Sequence, residues 1–70
     1  MTPQERKAAL ILQNVTAAQI ARELGVARAT VSAVLGGFRR QRRVEDKIAA
    51  VIGKPVEQVF EYRQKIKMAG

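Results

Sequence analysis

The sequence predicts an all-α fold, a compact bundle of four to five short helices. Glycine and proline divide the chain into short segments, with breaks at Gly25, Gly36–Gly37, Gly53 and Pro55. No alternating apolar–polar run long enough for a β-strand survives between these breaks. Hydrophobic residues make up 47% of the chain and are mostly aliphatic. That composition is typical of short packed helices and argues against a disordered chain.

The first helix is expected from about Pro3 to Asn14. Thr2 is its predicted N-cap, Pro3 suits the first helical position, and Glu5 completes a capping box. Apolar residues recur in this segment at spacings of three and four, which predicts an amphipathic helix. The apolar stripe consists of Ala8, Ile11, Leu12 and Val15.

The second and third helices are separated by a glycine. The second is expected to start at Thr16, which forms a capping-box pattern with Gln19, and to end at Gly25, where a left-handed residue is needed. The third is expected over about 28–35, and Ala27 before it is a weak N-cap. The residues predicted to face inward are Ile20, Ala21, Leu24, Val31, Val34 and Leu35.

Two further helices complete the predicted bundle. The fourth is expected over about 44–52, where Gly53 ends it, and it follows a basic connection over residues 38–43. The fifth is short and is expected over about 56–62. The apolar residues predicted for these two helices are Val44, Ile48, Val51, Ile52, Val56, Val59 and Phe60.

The length of 70 residues allows one small domain. We expect this domain to span residues 1–64, followed by a disordered tail over 65–70. The chain holds neither cysteine nor histidine, which excludes disulfides, cysteine-based metal sites and the commonest general base. Its acidic residues are scattered and mostly spaced as helix-surface or capping residues. We therefore expect no catalytic residues, no metal site, no cofactor and no small-molecule ligand.

Charge is the strongest bulk property of the sequence. Thirteen lysines and arginines oppose six acidic residues, which gives a formal net charge of +7 and an isoelectric point near 10.9. Such a surplus favours a polyanionic partner: DNA, RNA or an anionic membrane surface. No apolar run approaches the length of a membrane span, and the first residues lack the features of a secretory signal. The expected location is the cytoplasm.

The segment from Thr16 to Gly36 has the pattern of a helix-turn-helix. Ala21 supplies a small side chain where two helices would cross, Gly25 the sharp turn, and Val26 an apolar plug for the corner. On a helical wheel, the apolar residues of the third helix lie on one arc and Arg28 lies on the opposite arc. Such a helix can enter the major groove of DNA, which is about 12 Å wide.

The small, glycine and apolar positions of this motif are Ala21, Gly25, Val26, Val31 and Val34. In these positions the chain resembles the lambda-repressor-like (Cro and repressor type) helix-turn-helix regulators. The segment 43–60 is similar to the closing helices of Ner-like phage regulators, with a Lys-Pro step and an apolar–aromatic pair. The resemblance implies a DNA-binding transcriptional regulator of the phage type. A monomer of this size would read few base pairs, so we expect a homodimer that represses from a near-palindromic operator.

The predicted base contacts lie on the outward arc of the third helix. Arg28 matches the O6 and N7 acceptors of guanine, Ser32 can donate or accept a hydrogen bond, and alanine methyl groups can touch thymine. Phosphates are expected at the N–H groups that open the second helix and at the arginines that follow the third. The predicted base contacts, which the resemblance supports, are Arg28, Ala29, Ser32 and Ala33. The predicted phosphate contacts are Thr16, Ala17, Ala18, Thr30, Arg39, Arg40, Arg42 and Arg43.

Other binding functions also fit parts of the sequence. An architectural or excisionase-type protein would bend DNA at a recombination site, and an antitoxin would add chain that grips a toxin. An RNA-binding protein would use exposed aromatics, of which the chain has only Phe38, Phe60 and Tyr62. A membrane-surface peptide would form one long amphipathic helix instead of several capped ones. Double-stranded DNA is therefore the favoured partner.

Overall fold

The computed structural model describes residues 1–60, and the regular structure in that range is entirely helical. The prediction of an all-α bundle of four to five helices is confirmed. The tail predicted over 65–70 lies outside the described residues. The helices are α1 (Pro3–Leu12), α2 (Ala17–Leu24), α3 (Arg28–Gly36), α4 (Arg42–Ile52) and α5 (Val56–Val59).

Both capping boxes predicted from the sequence are present. The Thr2 hydroxyl accepts a hydrogen bond from the Glu5 N–H at 3.1 Å, and the Glu5 carboxylate accepts one from the Thr2 N–H at 2.7 Å. Thr16 and Gln19 form the same reciprocal pair before α2, at 3.1 and 2.8 Å. Because a helix cannot satisfy its own first N–H groups, these bonds determine where α1 and α2 begin.

The core lies where α1 to α4 meet, and α5 closes one end. Ile20 and Val31, one from each helix of the predicted motif, are fully buried, as is Ile48 of α4. Full burial of such a side chain stabilises the fold by about 1.5–3 kcal/mol. The buried apolar residues are Leu10, Ile20, Ala21, Val31, Val34, Leu35, Val44, Ile48, Ala49, Val59 and Phe60.

The apolar stripe of the first helix is not its buried face. Ile11 and Leu12 are 72% and 81% exposed, whereas Leu10 and the charged Arg6 are 3% and 4% exposed. Arg6 and Leu10 are four residues apart, so they lie on one side of α1, and that side faces the core. Hydrophobic periodicity gives the wrong face because it cannot anticipate that a guanidinium finds partners inside the protein.

Three helix boundaries differ by two residues or more from those expected. α5 ends at Val59, where the sequence predicts an end near residue 62. α1 ends at Leu12 instead of Asn14. α4 begins at Arg42 instead of Val44, so Arg42 and Arg43 belong to its first turn and not to the connection. Gln41 has the extended backbone of an N-cap but makes no side-chain capping hydrogen bond. The connection between α3 and α4 therefore contains two of the four arginines, Arg39 and Arg40.

The inner face of α4 includes an acidic residue. Glu45 is 1% exposed, although its place in the first turn suggested a surface position. It lies next to Val44 and one turn before Ala49, both of which are buried, so the helix orientation that buries them also turns Glu45 inward. The apolar residues at the C-terminal end of α4 and the start of α5 are only half-buried: Val51, Ile52 and Val56.

The turn between α2 and α3 is tight. Gly25 has a φ of +69°, a left-handed conformation that glycine adopts at little cost. The N–H groups of Gly25 and Val26 both donate to the Ala21 carbonyl, which closes the end of α2. An ion pair of 2.8 Å between Lys47 and Glu23 ties α4 to α2. The chain therefore passes from α2 to α3 through only three residues, and hydrogen bonds hold the start of that turn against the end of α2.

Candidate nucleic-acid interface

Helix α3 presents one face to solvent and the other to the core. Val31 and Val34 are fully buried, and they hold the inner face against α2 and α4. The opposite arc is the one predicted from the sequence to contact bases, and it lies on the surface. The exposed residues of this arc are Arg28, Ala29 and Ser32, and the half-buried residues at its edges are Thr30 and Ala33.

The N-terminal end of α3 is open. Ala27 has the extended backbone of an N-cap, with φ −71° and ψ 146°, but its side chain caps nothing. Arg28 follows directly, and its guanidinium makes no hydrogen bond or ion pair within residues 1–60. The positive end of the helix dipole and a free cation therefore lie together at this end of α3.

The start of α2 offers fewer N–H groups than the sequence predicts. The N–H of Thr16 donates to the Gln19 side chain at 2.8 Å, so it is already used. In the described part of the chain, the N–H groups of Ala17 and Ala18 have no hydrogen-bond acceptor. These two groups, at the positive end of α2, are therefore the ones that could bind an anion.

The arginines after α3 differ in how they are engaged. Arg43 donates to the Leu24 carbonyl at 3.1 Å, which closes the C-terminal end of α2. Arg42 lies 3.8 Å from the Asp46 carboxylate, and an exposed ion pair of this kind contributes little to stability. Arg39 makes neither a hydrogen bond nor an ion pair among the first 60 residues. The exposed side chains of this group are those of Arg39, Arg40, Arg42 and Arg43.

The charge around α3 has one sign. The sequence between Glu23 and Glu45 contains no acidic residue, although it spans the turn, α3 and the connection to α4. Every charged side chain in that stretch is an arginine. A surface of this kind attracts a polyanion and makes its binding depend strongly on salt concentration.

The helix-turn-helix and its arginine-rich surroundings correspond to a known kind of domain. A family model described as winged helix-turn-helix DNA-binding matches residues 1–68, nearly the whole chain. The chain belongs to this DNA-binding family. Comparisons with curated proteins and with solved structures give no match.

As a winged helix-turn-helix DNA-binding domain, the protein has α2 and α3 as its helix-turn-helix. No β-strand of a wing occurs within residues 1–60. That same range holds no cluster of acidic side chains suited to a metal ion. None of the helices described is long and apolar enough to cross a membrane. The outer arc of α3 and the exposed arginines beside it form a basic surface of this winged helix-turn-helix domain.

Arg6 connects several helices of this domain, although no sequence pattern predicts that role. The Arg6 guanidinium donates to the Leu35 carbonyl at 2.8 Å, the Met1 carbonyl at 2.8 Å and the Val59 carbonyl at 3.0 Å. It also lies 4.7 Å from the centre of the Phe60 ring, within cation–π distance. Arg6 thus joins α1 to the last turn of α3 and to α5. Sequence reasoning missed it because arginine is rarely buried.

Proposed function

We propose that this protein is a cytoplasmic transcriptional regulator that binds double-stranded DNA sequence-specifically and inserts α3 into the major groove. It acts as a repressor of the phage type, in the Cro-like and Ner-like group that its sequence resembles. The observation that carries the proposal is that one side of α3 is buried in the core while the opposite side is exposed. Val31 and Val34 are inaccessible, while Arg28 stands exposed at the open N-terminal end. Helix-turn-helix proteins present that end of the recognition helix to base edges.

Base recognition depends on the outer arc of α3. Arg28 donates two hydrogen bonds to guanine, which is the commonest specific protein–DNA contact. Ser32, one turn further along the same side, makes a less selective hydrogen bond. Ala29 and Ala33 contact thymine methyl groups, and the half-burial of Ala33 makes its share of that contact smaller.

Phosphate contacts come from both sides of α3. The N–H groups of Ala17 and Ala18 bind one phosphate at the start of α2, where the Thr16 hydroxyl adds to the contact surface. Arg39 is the strongest cationic candidate because nothing within residues 1–60 competes for it. The remaining proposed phosphate contacts are Thr30, Arg40, Arg42 and Arg43.

The regulator binds a near-palindromic operator as a homodimer. We place the subunit contact at a shallow cleft between α1 and the end of α4, here called the Leu12 cleft. Its apolar lining includes Leu12 and Ile52, and its charged lining includes Glu5 and Lys54. No residue of α2 or α3 lines it. Because Glu5 and Lys54 carry opposite charges within the same lining, the cleft can face a second copy of itself, as a two-fold interface requires.

The test of specific DNA binding is selection of genomic fragments by the purified protein, at physiological salt and with competitor DNA. The expected result is recovery of one short site that contains two related half-sites, about one helical turn (34–36 Å) apart. Recovery of fragments without a shared site would overturn the regulator proposal and leave a DNA binder that uses charge alone.

Two variants separate base contact from phosphate contact. Arg28→Ala is expected to weaken operator binding by about 1–3 kcal/mol and to relax the preference at one base position. Arg39→Ala is expected to weaken binding to all sequences alike and to lower the salt slope by about 0.9 for each bound subunit. If Arg28→Ala behaves like Arg39→Ala, then Arg28 binds phosphate and the proposed base contact is wrong.

The homodimer is tested with a matched pair of charge changes on α1. Leu12→Glu places a carboxylate in the Leu12 cleft, whereas Gln4→Glu adds the same charge at an exposed position that lines no cleft described here. Leu12→Glu is expected to abolish two-subunit complexes on a full operator in gel-shift titrations, while Gln4→Glu retains them. Equal behaviour of the two variants would remove the Leu12 cleft as the subunit contact.

A further inference from the structure

The most exposed large apolar side chain among residues 1–60 lies beside the recognition helix. Phe38 follows the last turn of α3, and 89% of its surface is exposed. Its backbone is held in place, because the Phe38 N–H donates to the Ala33 carbonyl at 2.9 Å and the Gly37 N–H donates to the Val34 carbonyl at 3.1 Å. These two bonds form the usual hydrogen-bond pattern at a helix C-terminus. The position of Phe38 relative to α3 is therefore fixed.

The ring of Phe38 lies over the backbone of Gly36. A Cβ atom at Gly36 would come within 2.9 Å of two ring carbons, so the absence of a side chain there is what allows the ring to lie so close. In many helix C-termini an apolar residue at this position packs back onto the helix and becomes buried. Phe38 makes the backbone contact but stays open to solvent, so local packing does not account for an aromatic residue here.

The surroundings of Phe38 indicate which kind of partner covers it. Arg39 and Arg40 follow directly and are exposed, and the nearest acidic residues along the chain are Glu23 and Glu45. A second copy of this surface would bring like charges together, which is unfavourable. A nucleic acid offers phosphates for the arginines and apolar sugar and base surface for the ring. The combination of cations and an aromatic ring is typical of nucleic-acid contact.

We propose that Phe38 is a DNA contact whose ring packs against a deoxyribose and the adjoining base edge, next to the phosphate that Arg39 binds. This inference rests on the proposed insertion of α3 into the major groove, which brings the end of α3 and its connection to the DNA backbone. The contact is apolar and displaces no counterions. It therefore contributes affinity that does not depend on salt, beside the salt-dependent contribution of the arginines.

The test compares Phe38→Ala with Gln4→Ala and Arg39→Ala on one duplex over a range of salt concentrations. Gln4→Ala is the control, because it truncates an exposed side chain that lies on α1 and lines none of the clefts described here. Phe38→Ala is expected to weaken binding about 5- to 30-fold with an unchanged salt slope. Arg39→Ala is expected to lower the slope, and Gln4→Ala to leave binding unchanged. Thermal unfolding of Phe38→Ala should match that of the parent protein.

A photoreactive benzophenone amino acid at position 38 identifies the partner directly. Crosslinks to DNA support the inference, and crosslinks to a second protein chain overturn it. Unchanged affinity in Phe38→Ala, or a loss that comes with a changed salt slope, also overturns it. Failure of the proposed regulator function would give a different result. If only that function is wrong, the parent protein selects no specific site, but Phe38→Ala still weakens its binding to any duplex.

Discussion

Replacement of Arg6 by methionine tests whether a buried guanidinium holds the domain together. Methionine keeps the length of the side chain but removes all its donors. The carbonyls of Leu35 and Val59 then lose a buried hydrogen-bond donor. Each buried carbonyl left without a partner costs about 1–3 kcal/mol. The variant also avoids the cost of burying a charge, which offsets part of the loss. The expected net destabilisation is therefore about 2–4 kcal/mol.

A loss of this size is large for so short a chain. At about 0.05–0.15 kcal/mol per residue, a protein of 70 residues has a stability of roughly 3.5–10 kcal/mol. For domains of this size, 1 kcal/mol shifts the melting temperature by about 4–8 °C, so Arg6→Met should lower it by about 8–30 °C.

The assay is thermal and urea unfolding followed by circular dichroism at 222 nm. Gln4→Met is the control: it introduces the same side chain on the same helix at an exposed position, and it should change stability by less than about 0.5 kcal/mol. A destabilisation of Arg6→Met below about 1 kcal/mol would refute the reasoning that the guanidinium joins α1 to α3 and α5.

Three further predictions concern the helix ends. Gly25→Ala should destabilise the fold by about 1–2 kcal/mol, which is the cost of a left-handed backbone for alanine. No steric cost is expected in addition, because no atom lies within 4 Å of an added Cβ. A larger loss in urea unfolding would indicate a steric clash instead. Ala27→Ser should stabilise it by about 0.5–1 kcal/mol, because the backbone already has N-cap geometry; an unchanged melting temperature would show that the open end of α3 gains nothing from a cap. The hydrogen bond from the Thr2 N–H lowers the pKa of Glu5 in the folded protein. The stability that this carboxylate contributes is therefore present above the pKa that Glu5 has in the unfolded chain, and it is lost as pH falls below about 4. Glu5→Gln should remove part of that acid dependence in melts between pH 2 and pH 7, and identical pH profiles would contradict the assignment.

The elements of this fold that local chemistry determines could be predicted from the sequence. Thr2 and Thr16 begin helices because their hydroxyls satisfy N–H groups close by in the chain, and both capping boxes are present. The inner face of α3 could also be predicted, because Val31 and Val34 lie on one apolar arc of the helix, and both are buried. The same arc assigned Arg28 to the outside, and the structure places it there.

Three expectations from the sequence differ from what the structure shows. Ile11 and Leu12 form a regular apolar stripe with their neighbours, yet Leu10 and Arg6 occupy the inner side of α1. Glu45 carries a charge that local reasoning assigns to the surface, yet α4 turns it inward. The Thr16 N–H looked available to a phosphate, but its own capping box uses it. The first two differences come from packing between helices, which hydrophobic periodicity and charge do not encode. The third is local, because the N–H of Thr16 is used within the capping box that the sequence itself predicts.

Local patterns in the sequence specify a small, basic, all-helical domain with a helix-turn-helix, because caps, glycine turns and apolar spacing act over a few residues. Packing of the helices selected the inner side of α1 and turned Glu45 of α4 inward. It buried Arg6 against carbonyls from three separate parts of the chain, up to 53 residues away. It also left Leu12 and Phe38 exposed on the surface. The physical reason is that a side chain becomes buried when distant groups can satisfy it, and their positions exist only once the helices have packed.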